Sequence, residues 1–503
     1  MWNAVILYLI TTVVAIAAYY RWSRRKVFAA VANMSGPPAL PLIGHMYLLA
    51  ELTTAEAIYH KLKTVAATYT SPLCIHLGPL LHIVLYNPEH LQIVLNSPHC
   101  LSKPLQYQFF RVNKGLFSAP VSIWKGHRKI LNLSFGPAIL NSFIGIFNEK
   151  SVVLVELMEK YIGQEERDFS HDIALCTLDA IYSTAFGCNF DMQRAPDGKI
   201  YLELQEEFID IVTTRVFSPT RYSEFIYRMT KAYRREQEIL REARLIATKV
   251  MKARNADELL SANVEPKLSE IDGKKPQIFL DKLLELAREN YQLSKEDIPE
   301  HLDTIIFAGN DTTATTMSNL LLMLAMHPDI QERVYQEVMQ ACPDKNQYVS
   351  ADDVTKLVYT EMVCKETMRL FPVAPIVGRT ASSDIKLDDH STIPSNATIL
   401  CGLYQLHRDP QIWGSDAEVF NPDNFLPENC AQRHPYAYLP FSGGPRNCIG
   451  IRYAWLSMKV MIVHLLRKYR LKTSLTMNTL NIRYSIILKI TNGCWIALEK
   501  RES

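Results

Sequence analysis

The sequence predicts a mainly α-helical fold with small β-sheets (α+β), arranged as one large domain behind a single N-terminal membrane helix. Apolar residues follow helical spacing through most of the chain beyond residue 45, and strand-like runs are confined to residues 73–85 and 398–403. No break in composition divides the 503 residues. The first twenty residues carry no charge, and about twenty apolar residues suffice to cross a bilayer.

Residues 1–20 are predicted to be a retained membrane anchor. A basic cluster from Arg21 to Lys26 follows them, and the positive-inside rule then places the rest of the chain in the cytosol. The alternative is a cleaved signal peptide with residues 15–17 as its cleavage motif. The basic region that opens such peptides is missing, which favours the anchor.

Residues 21–45 combine this basic cluster with a proline-rich segment that we expect to act as a hinge. Pro37, Pro38 and Pro41 fix backbone angles and remove N–H donors, which excludes regular helix or a central strand. Residues 46–503 form the predicted main domain, because candidate site residues in distant parts of it must meet at one site.

The composition excludes several classes of protein. Lys and Arg number 54 against 52 Asp and Glu, without a long block of one sign, so nucleic acid is not an expected partner. Ten cysteines are scattered without a C-x-x-C pair, which fits neither a disulfide framework nor a zinc site. A reducing, cytosol-facing compartment follows.

A long helix is predicted from Pro299 to residue 326, closed by Pro328. Ala308, Asp311 and Thr312 are expected to share one face by their i, i+3 and i+4 spacing. A hydroxyl backed by a carboxylate can relay protons. The alternative is a helix whose polar side chains only bond back to its own carbonyls.

Two further helical pairs have spacings that suit a site. Trp124 and Arg128 lie four residues apart, so an indole N–H and a guanidinium can point at one carboxylate. Glu366 and Arg369 lie three apart and can pair on one helix face, although such pairs on a surface contribute little stability.

A loop from Phe441 to Gly450 contains the most specific pattern, Phe-x-x-Gly-x-Arg-x-Cys-x-Gly. Positive charge from Arg446 and the unpaired N–H groups of the following helix are expected to favour the thiolate of Cys448, the form that ligates a metal. Glycines are expected to leave room for a flat cofactor. A buried structural cysteine is the alternative, but chance predicts this pattern in roughly one of several thousand chains of this length.

The loop resembles the haem-ligand loop of the cytochrome P-450 family, and the resemblance extends over the whole main domain. It implies the cytochrome P-450 fold, with Cys448 as the axial thiolate ligand of haem iron. It also implies that Thr312 and Asp311 form the oxygen-activation motif and relay protons. Glu366 and Arg369 would form a buried structural lock.

The resemblance also assigns the cofactor contacts. The residues implied to bind haem, four of them at its propionates, are Trp124, Arg128, Arg379, Phe441, Arg446 and Cys448. The third partner of the lock is an arginine in many members of the family. Asn424 stands at that position here, so we expect an amide to complete the lock.

Four motifs resemble the branch that contains the long-chain fatty-acid hydroxylases, and its insect microsomal members most of all. They lie at residues 302–313, 359–370, 407–410 and 433–438. Many members carry a glutamate, through which haem becomes ester-linked, at the position of Ala308. Alanine cannot form that bond, so we expect haem b bound non-covalently except for the Cys448 thiolate, and not strict terminal-carbon hydroxylation.

The function implied by the resemblance is that of a membrane-bound haem-thiolate monooxygenase of the endoplasmic reticulum, its catalytic domain facing the cytosol. It would insert one atom of O₂ into a lipophilic substrate such as a fatty acid, a hormone-like lipid or a xenobiotic. The chain has no dinucleotide fingerprint, so electrons are expected from an NADPH-dependent flavoprotein reductase, with cytochrome b5 as an optional second donor.

Two alternatives stay open at this stage: a haem-thiolate isomerase or dehydratase that does not use O₂, and a non-catalytic, membrane-tethered protein that binds lipophiles. The Thr312 hydroxyl argues against both. By family position, residues 110–120, 209–216 and 373–377 and Phe307 are expected to line the substrate pocket, although apolar residues there are as often core.

Overall fold

The computed structural model describes residues 2–49, 52, 54–187, 189–253, 278–288, 293–294 and 297–501. Helices predominate, as the sequence predicts. In chain order they are α1 Trp2–Ser23, α2 Arg25–Ala30, α3 Ala55–Thr68, α4 Pro88–Asn96, α5 Val121–Leu131, α6 Pro137–Ser142, α7 Ile144–Glu159, α8 Ser170–Phe186, α9 Pro196–Val216, α10 Glu224–Arg228, α11 Lys231–Ala253, α12 Phe279–Arg288, α13 Ile298–Met326, α14 Pro328–Ala341, α15 Ala351–Lys356, α16 Val358–Leu370, α17 Leu403–Leu406, α18 Pro410–Trp413, α19 Pro427–Ala431 and α20 Ile451–Lys468.

The strands form small sheets. They are β1 Leu73–Leu77, β2 Leu80–Leu85, β3 Arg167–Asp168, β4 Ile376–Thr380, β5 Ile385–Lys386, β6 Thr392–Ile393, β7 Thr398–Gly402, β8 Tyr469–Lys472, β9 Ile482–Ser485, β10 Ile487–Ile490 and β11 Trp495–Lys500. The largest described sheet has the order β1-β2-β7-β4, in which β2 and β7 run parallel with His82 beside Thr398. The two strand regions predicted from the sequence, 73–85 and 398–403, meet in this sheet.

Helix α13 passes through the main apolar core and packs along α8. Pro299 lies in its first turn, and the helix ends before Pro328. A Cβ on Gly309 would lie 2.8 Å from Cδ1 of Ile181 on α8, so the bare backbone at this position allows the close approach of the two helices. Asn310 follows Gly309 on α13, and its Oδ1 accepts a hydrogen bond of 2.7 Å from the Thr177 hydroxyl on α8. This bond sets the position of α13 along α8.

The N-terminal helix α1 differs from the others because none of its residues is buried. Two helical segments of the described chain are long and apolar enough to cross a membrane, Trp2–Ser23 and Pro137–Glu159. The second is half buried within the fold, as a core segment is. The end of α1 rests on the first sheet, where the Tyr20 hydroxyl donates to the Gly78 carbonyl over 3.2 Å.

Glu366 and Arg369 on α16 form the buried lock expected from the resemblance. Both side chains are fully buried, and two N–H···O bonds of 2.7 Å join them. Arg369 also donates to the carbonyls of His407 and Ala417. The Asn424 amide donates to Oε1 of Glu366 over 3.2 Å, which confirms the expectation that an amide completes the lock.

We predict that Glu366→Gln lowers the free energy of unfolding by about 3 kcal/mol, because it leaves Arg369 buried without a compensating charge. Asn424→Ala removes one hydrogen bond and is expected to cost about 1 kcal/mol. Urea denaturation of the full chain in detergent micelles measures both values. Equal costs for the two variants would show that the ion pair is no more important than the amide.

Candidate active site

The largest described cavity has a volume of about 570 Å³ and mostly apolar walls. The Cys448 loop and helix α13 both line it. The stretches expected to line a substrate pocket do so through a set of side chains that includes Phe110, Phe117, Ile209, Val216, Phe307, Val373 and Val377. The cavity therefore combines a cysteine sulfur with room for a large lipophilic molecule.

The loop before α20 holds Cys448 by its own backbone. The Cys448 N–H donates to the Phe441 carbonyl over 3.0 Å, and the Asn447 N–H donates to the Gly444 carbonyl over 3.1 Å. Gly444 has a φ of +69°, and a Cβ there would overlap the Leu95 carbonyl. This glycine thus serves the turn and its packing on α4, rather than clearing space for a cofactor as the sequence suggested.

The Cys448 side chain is exposed to the main cavity. Burial raises the pKa of the Cys448 thiol, and the Gly450 N–H and the Arg128 charge lower it by less. The expectation that this thiol ionises readily by itself is therefore wrong, because desolvation outweighs the nearby positive charge. A cation bound to the sulfur would supply the missing stabilisation of the thiolate.

Five Lys and Arg side chains line the cavity, namely Lys61, Lys103, Arg128, Arg379 and Arg446. Among the residues that the structure describes, the lining contains no Asp or Glu. Burial, then Arg379, lowers the pKa of Arg446 to about 9, and burial with the charges of Arg379 and Arg446 lowers the pKa of Lys103. Lys103, Arg379 and Arg446 therefore form a positively charged edge of the cavity, and no acidic side chain of the described lining neutralises it.

The arginines differ in the donors they leave for a ligand. Arg446 donates to the carbonyls of Leu101, Leu116 and Ala119, and its guanidinium stacks on the Trp124 ring at 4.4 Å. Arg379 is buried, and its Nε has no hydrogen-bond partner in the described part of the chain.

Arg128 is bound differently, to the cysteine loop itself. It donates from Nη1 and Nη2 to the backbone and side-chain oxygens of Asn447, each over 2.8 Å. Phe441 lines the cavity from the same loop, its ring 6.2 Å from that of Trp455. All six residues predicted to bind a cofactor thus line one cavity. Lys103, which sequence reasoning missed, lies in a loop without a recognisable motif.

Thr312 and Asp311 face different cavities. The Thr312 hydroxyl donates to the Ala308 carbonyl over 2.7 Å and lines the main cavity. Asp311 lines a separate polar cavity of about 290 Å³. There it pairs with Lys489 over 3.4 Å, and its buried Oδ2 has no partner among the described residues. Consecutive helical residues point about 100° apart, so the structure does not bring Asp311 into the main cavity.

Burial raises the pKa of Asp311, while Lys489 lowers it by less. The Asp311 carboxyl can therefore hold a proton more readily than an exposed carboxyl does. Helix α13 thus presents a hydroxyl to an apolar cavity on one side and a carboxyl to a polar cavity on the other.

Comparison with known proteins agrees with this geometry. Residues 34–493 match the family model described as cytochrome P-450. The chain belongs to the cytochrome P-450 family. Among curated relatives it is 31% identical to probable cytochrome P-450 313a4 of Drosophila melanogaster over 486 residues, which is 96% of this chain and 97% of the relative.

Two further relatives show how widely the resemblance extends. Cytochrome P-450 4c21 of Blattella germanica is 33% identical over 476 residues, 92% of this chain and 93% of the relative. Cytochrome P-450 4V2 of Homo sapiens is 32% identical over 498 residues, 97% and 93% of the two chains. The expected family, and the likeness to insect members, are confirmed; the chain is a monooxygenase of the haem-thiolate class.

The residues that line the main cavity fit a haem group. A haem needs a soft axial ligand, flat apolar walls and cations for its two carboxylates. Cys448 offers the ligand, and Lys103, Arg128, Arg379 and Arg446 offer the cations. The Arg379 Nε has no hydrogen-bond partner in the described part of the chain and can donate to a carboxylate. An anionic cofactor there would relieve the repulsion among Lys103, Arg128, Arg379 and Arg446.

We predict that Arg379→Met weakens haem retention about tenfold, the effect of one charge-assisted hydrogen bond. Arg333→Met is the matched control, because that arginine is exposed on α14 and stacks on Tyr359. The rate at which apomyoglobin extracts haem from each variant measures retention. Identical rates for Arg379→Met and the control would mean that Arg379 does not contact the cofactor.

Proposed function

We propose that this protein is a membrane-anchored microsomal monooxygenase that inserts one atom of O₂ into a lipophilic substrate, with Cys448 as the ligand of haem iron. One observation carries the proposal: Cys448, five cationic side chains and the Thr312 hydroxyl line the same mostly apolar cavity. When bound, thiolate-ligated haem activates O₂ for insertion into C–H bonds.

The chain's own residues have separate roles in this proposal. The carboxylates of haem b would be held by Arg128, Arg379, Arg446 and Trp124. Phe441, which belongs to the Cys448 loop, would pack beside the haem. The haem is otherwise non-covalently bound, because Ala308 in the cavity wall offers no carboxylate for an ester. The apolar walls exclude bulk water and orient the substrate.

Proton delivery is assigned to α13. Thr312 holds a hydroxyl inside the main cavity, and Asp311 places a carboxyl of raised pKa in the neighbouring polar cavity, paired with Lys489. In this proposal Asp311 is the proton source on the polar side of α13, and the Thr312 hydroxyl is the last donor on the side of the main cavity.

Membrane attachment and electron supply complete the proposal. Helix α1 exposes its apolar residues on all sides, as a membrane-spanning helix does. The basic residues that follow it favour a catalytic domain on the cytosolic face of the endoplasmic reticulum. Electrons come from an NADPH-dependent flavoprotein reductase, with cytochrome b5 as an optional second donor.

The alternative activities have less support. An isomerase or dehydratase would use Cys448 without O₂, and a lipophile-binding protein would need no proton route. Neither role needs the Thr312 hydroxyl in the main cavity, or the Asp311 carboxyl in the polar cavity, whose Oδ2 has no partner among the described residues.

We predict that Thr312→Val uncouples the reaction. NADPH consumption continues with reductase present, but oxidised product falls at least about tenfold and hydrogen peroxide rises, because loss of positioned proton transfer costs about 10²–10⁴-fold in rate. Product, NADPH and peroxide are measured together. Thr64→Val is the matched control, since that exposed hydroxyl also bonds back to a helix carbonyl, that of His60, over 2.9 Å.

Unchanged coupling in Thr312→Val would remove this residue from the proton route. Product formed at the same rate without NADPH and O₂ would refute the monooxygenase and favour the isomerase. Thr312→Ser, which keeps the hydroxyl, is expected to retain most of the coupling.

A further inference from the structure

A second, smaller cavity of about 90 Å³ adjoins the main one. Phe110, Phe117, Phe307 and Ala308 line both cavities, so the two spaces meet beside the middle of α13. The smaller one, here called the side cavity, extends between α8, α9, α11 and α13. Its volume suits a functional group with a few carbons rather than a whole lipophile.

One end of the side cavity is polar. Tyr182 is fully buried there, and its hydroxyl has no hydrogen-bond partner among the described residues. Asp303 on α13 and Arg244 on α11 also line the side cavity and interact electrostatically. Other polar lining residues include Arg111, Gln205 and Thr304. Burial raises the pKa of Tyr182, and the negative charge of Asp303 raises it further. The Asp303 carboxylate therefore lies close enough to the Tyr182 phenol to favour its protonated form.

The electrostatics of this end select among ligands. Burial raises the pKa of Asp303 to about 6, and Arg244 partly opposes the rise; near neutral pH the Asp303 carboxylate is therefore mostly an ion that only accepts hydrogen bonds. The Tyr182 O–H is available to donate. A ligand that satisfies both must offer a donor to Asp303 and an acceptor to Tyr182.

A hydroxyl group meets both conditions without adding charge. A carboxylate would be repelled by the half-buried Asp303 and attracted by Arg244, but the Arg244 side chain is exposed, so solvent screens its charge more strongly. An ammonium group would have to be desolvated between aromatic walls and would be repelled by Arg244.

We propose that the side cavity binds the hydroxyl group of an amphipathic substrate, whose hydrocarbon part passes Phe307 and Ala308 toward Cys448. Asp303 accepts the hydrogen bond from this hydroxyl, and Tyr182 donates to its oxygen. The position of Asp303 five residues before Ala308 then makes it a specificity-determining residue. The reaction at the far end of the substrate rests on the proposed function, whereas binding of the hydroxyl group does not.

The test compares three twelve-carbon probes: dodecan-1-ol, 1-methoxydodecane, which lacks the O–H donor, and dodecanoic acid. Their affinities for the full-length holoprotein in lipid nanodiscs are measured by calorimetry, without reductase or NADPH. We expect the alcohol to bind about tenfold more tightly than the ether, the effect of one hydrogen bond to a charged group, and the acid to bind more weakly than the alcohol.

Substitutions of Asp303 and Tyr182 are expected to change the affinities for the three probes differently. Asp303→Asn is expected to weaken alcohol binding about fivefold, leave the ether unchanged and strengthen binding of the acid, because it removes a charge but keeps the shape. Tyr182→Phe removes one oxygen atom and is expected to weaken alcohol binding about fivefold. Asp329→Asn, at an exposed carboxylate on α14, is the control, and haem content verifies the fold of each variant.

Equal affinities for alcohol and ether, or an unchanged alcohol affinity in both Asp303→Asn and Tyr182→Phe, would overturn the proposal. So would tightest binding of the acid together with its loss in Arg244→Gln, which would make the cavity a carboxylate site. Binding is measured without turnover, so failure of monooxygenation with an intact alcohol preference would refute the proposed function alone.

Discussion

Buried positive charge at the edge of the main cavity is the constraint on which the rest of the structure depends. Burying an ion without a partner is costly, and several buried ions of one sign repel each other. The protein holds Arg446 with three backbone carbonyls and Arg128 with two oxygens of Asn447. Those bonds connect the segment between Leu101 and α5 with the cysteine loop. The same charged side chains that would bind an anionic cofactor therefore also hold the parts of its site together.

A rigid frame keeps these parts together. The Glu366–Arg369 pair binds the carbonyls of the segment between α17 and α19, and that segment leads into the cysteine loop. On the other wall, the close packing of α13 on α8 at Gly309 fixes where Thr312 meets the cavity. Helix α13 separates the polar cavity from the main apolar cavity, because Asp311 and Thr312 lie on different sides of it. A mostly apolar cavity and a carboxyl group in a polar cavity therefore lie on opposite sides of one helix.

Much of this was predictable from sequence, because the spacing of residues in a helix or tight loop determines their local geometry. The helical class, the positions of β1, β2 and β7 and the cysteine loop follow from such patterns, whereas the amide of Asn424 in the lock follows from the resemblance to the family. The depth of burial does not, so the pKa of Cys448 was misjudged. The carbonyls that bind Arg446 and the place of Lys103 in the cavity depend on contacts between distant loops. The cavity that Asp311 lines depends on what packs against each face of α13. The i, i+3 and i+4 spacing places Ala308, Asp311 and Thr312 on one broad face and cannot separate Asp311 from the other two.

The central claim is that the Cys448 sulfur holds haem iron in the cavity. The most direct measurement is the difference spectrum, with and without carbon monoxide, of dithionite-reduced membranes that contain the full chain. Cys448→Ala is the variant, and Cys430→Ala, which alters an exposed cysteine, is the matched control. The account predicts a strongly red-shifted Soret band in the wild type and in Cys430→Ala, absent from Cys448→Ala. A band typical of histidine ligation in folded wild-type protein, or an unchanged red-shifted band in Cys448→Ala, would contradict it.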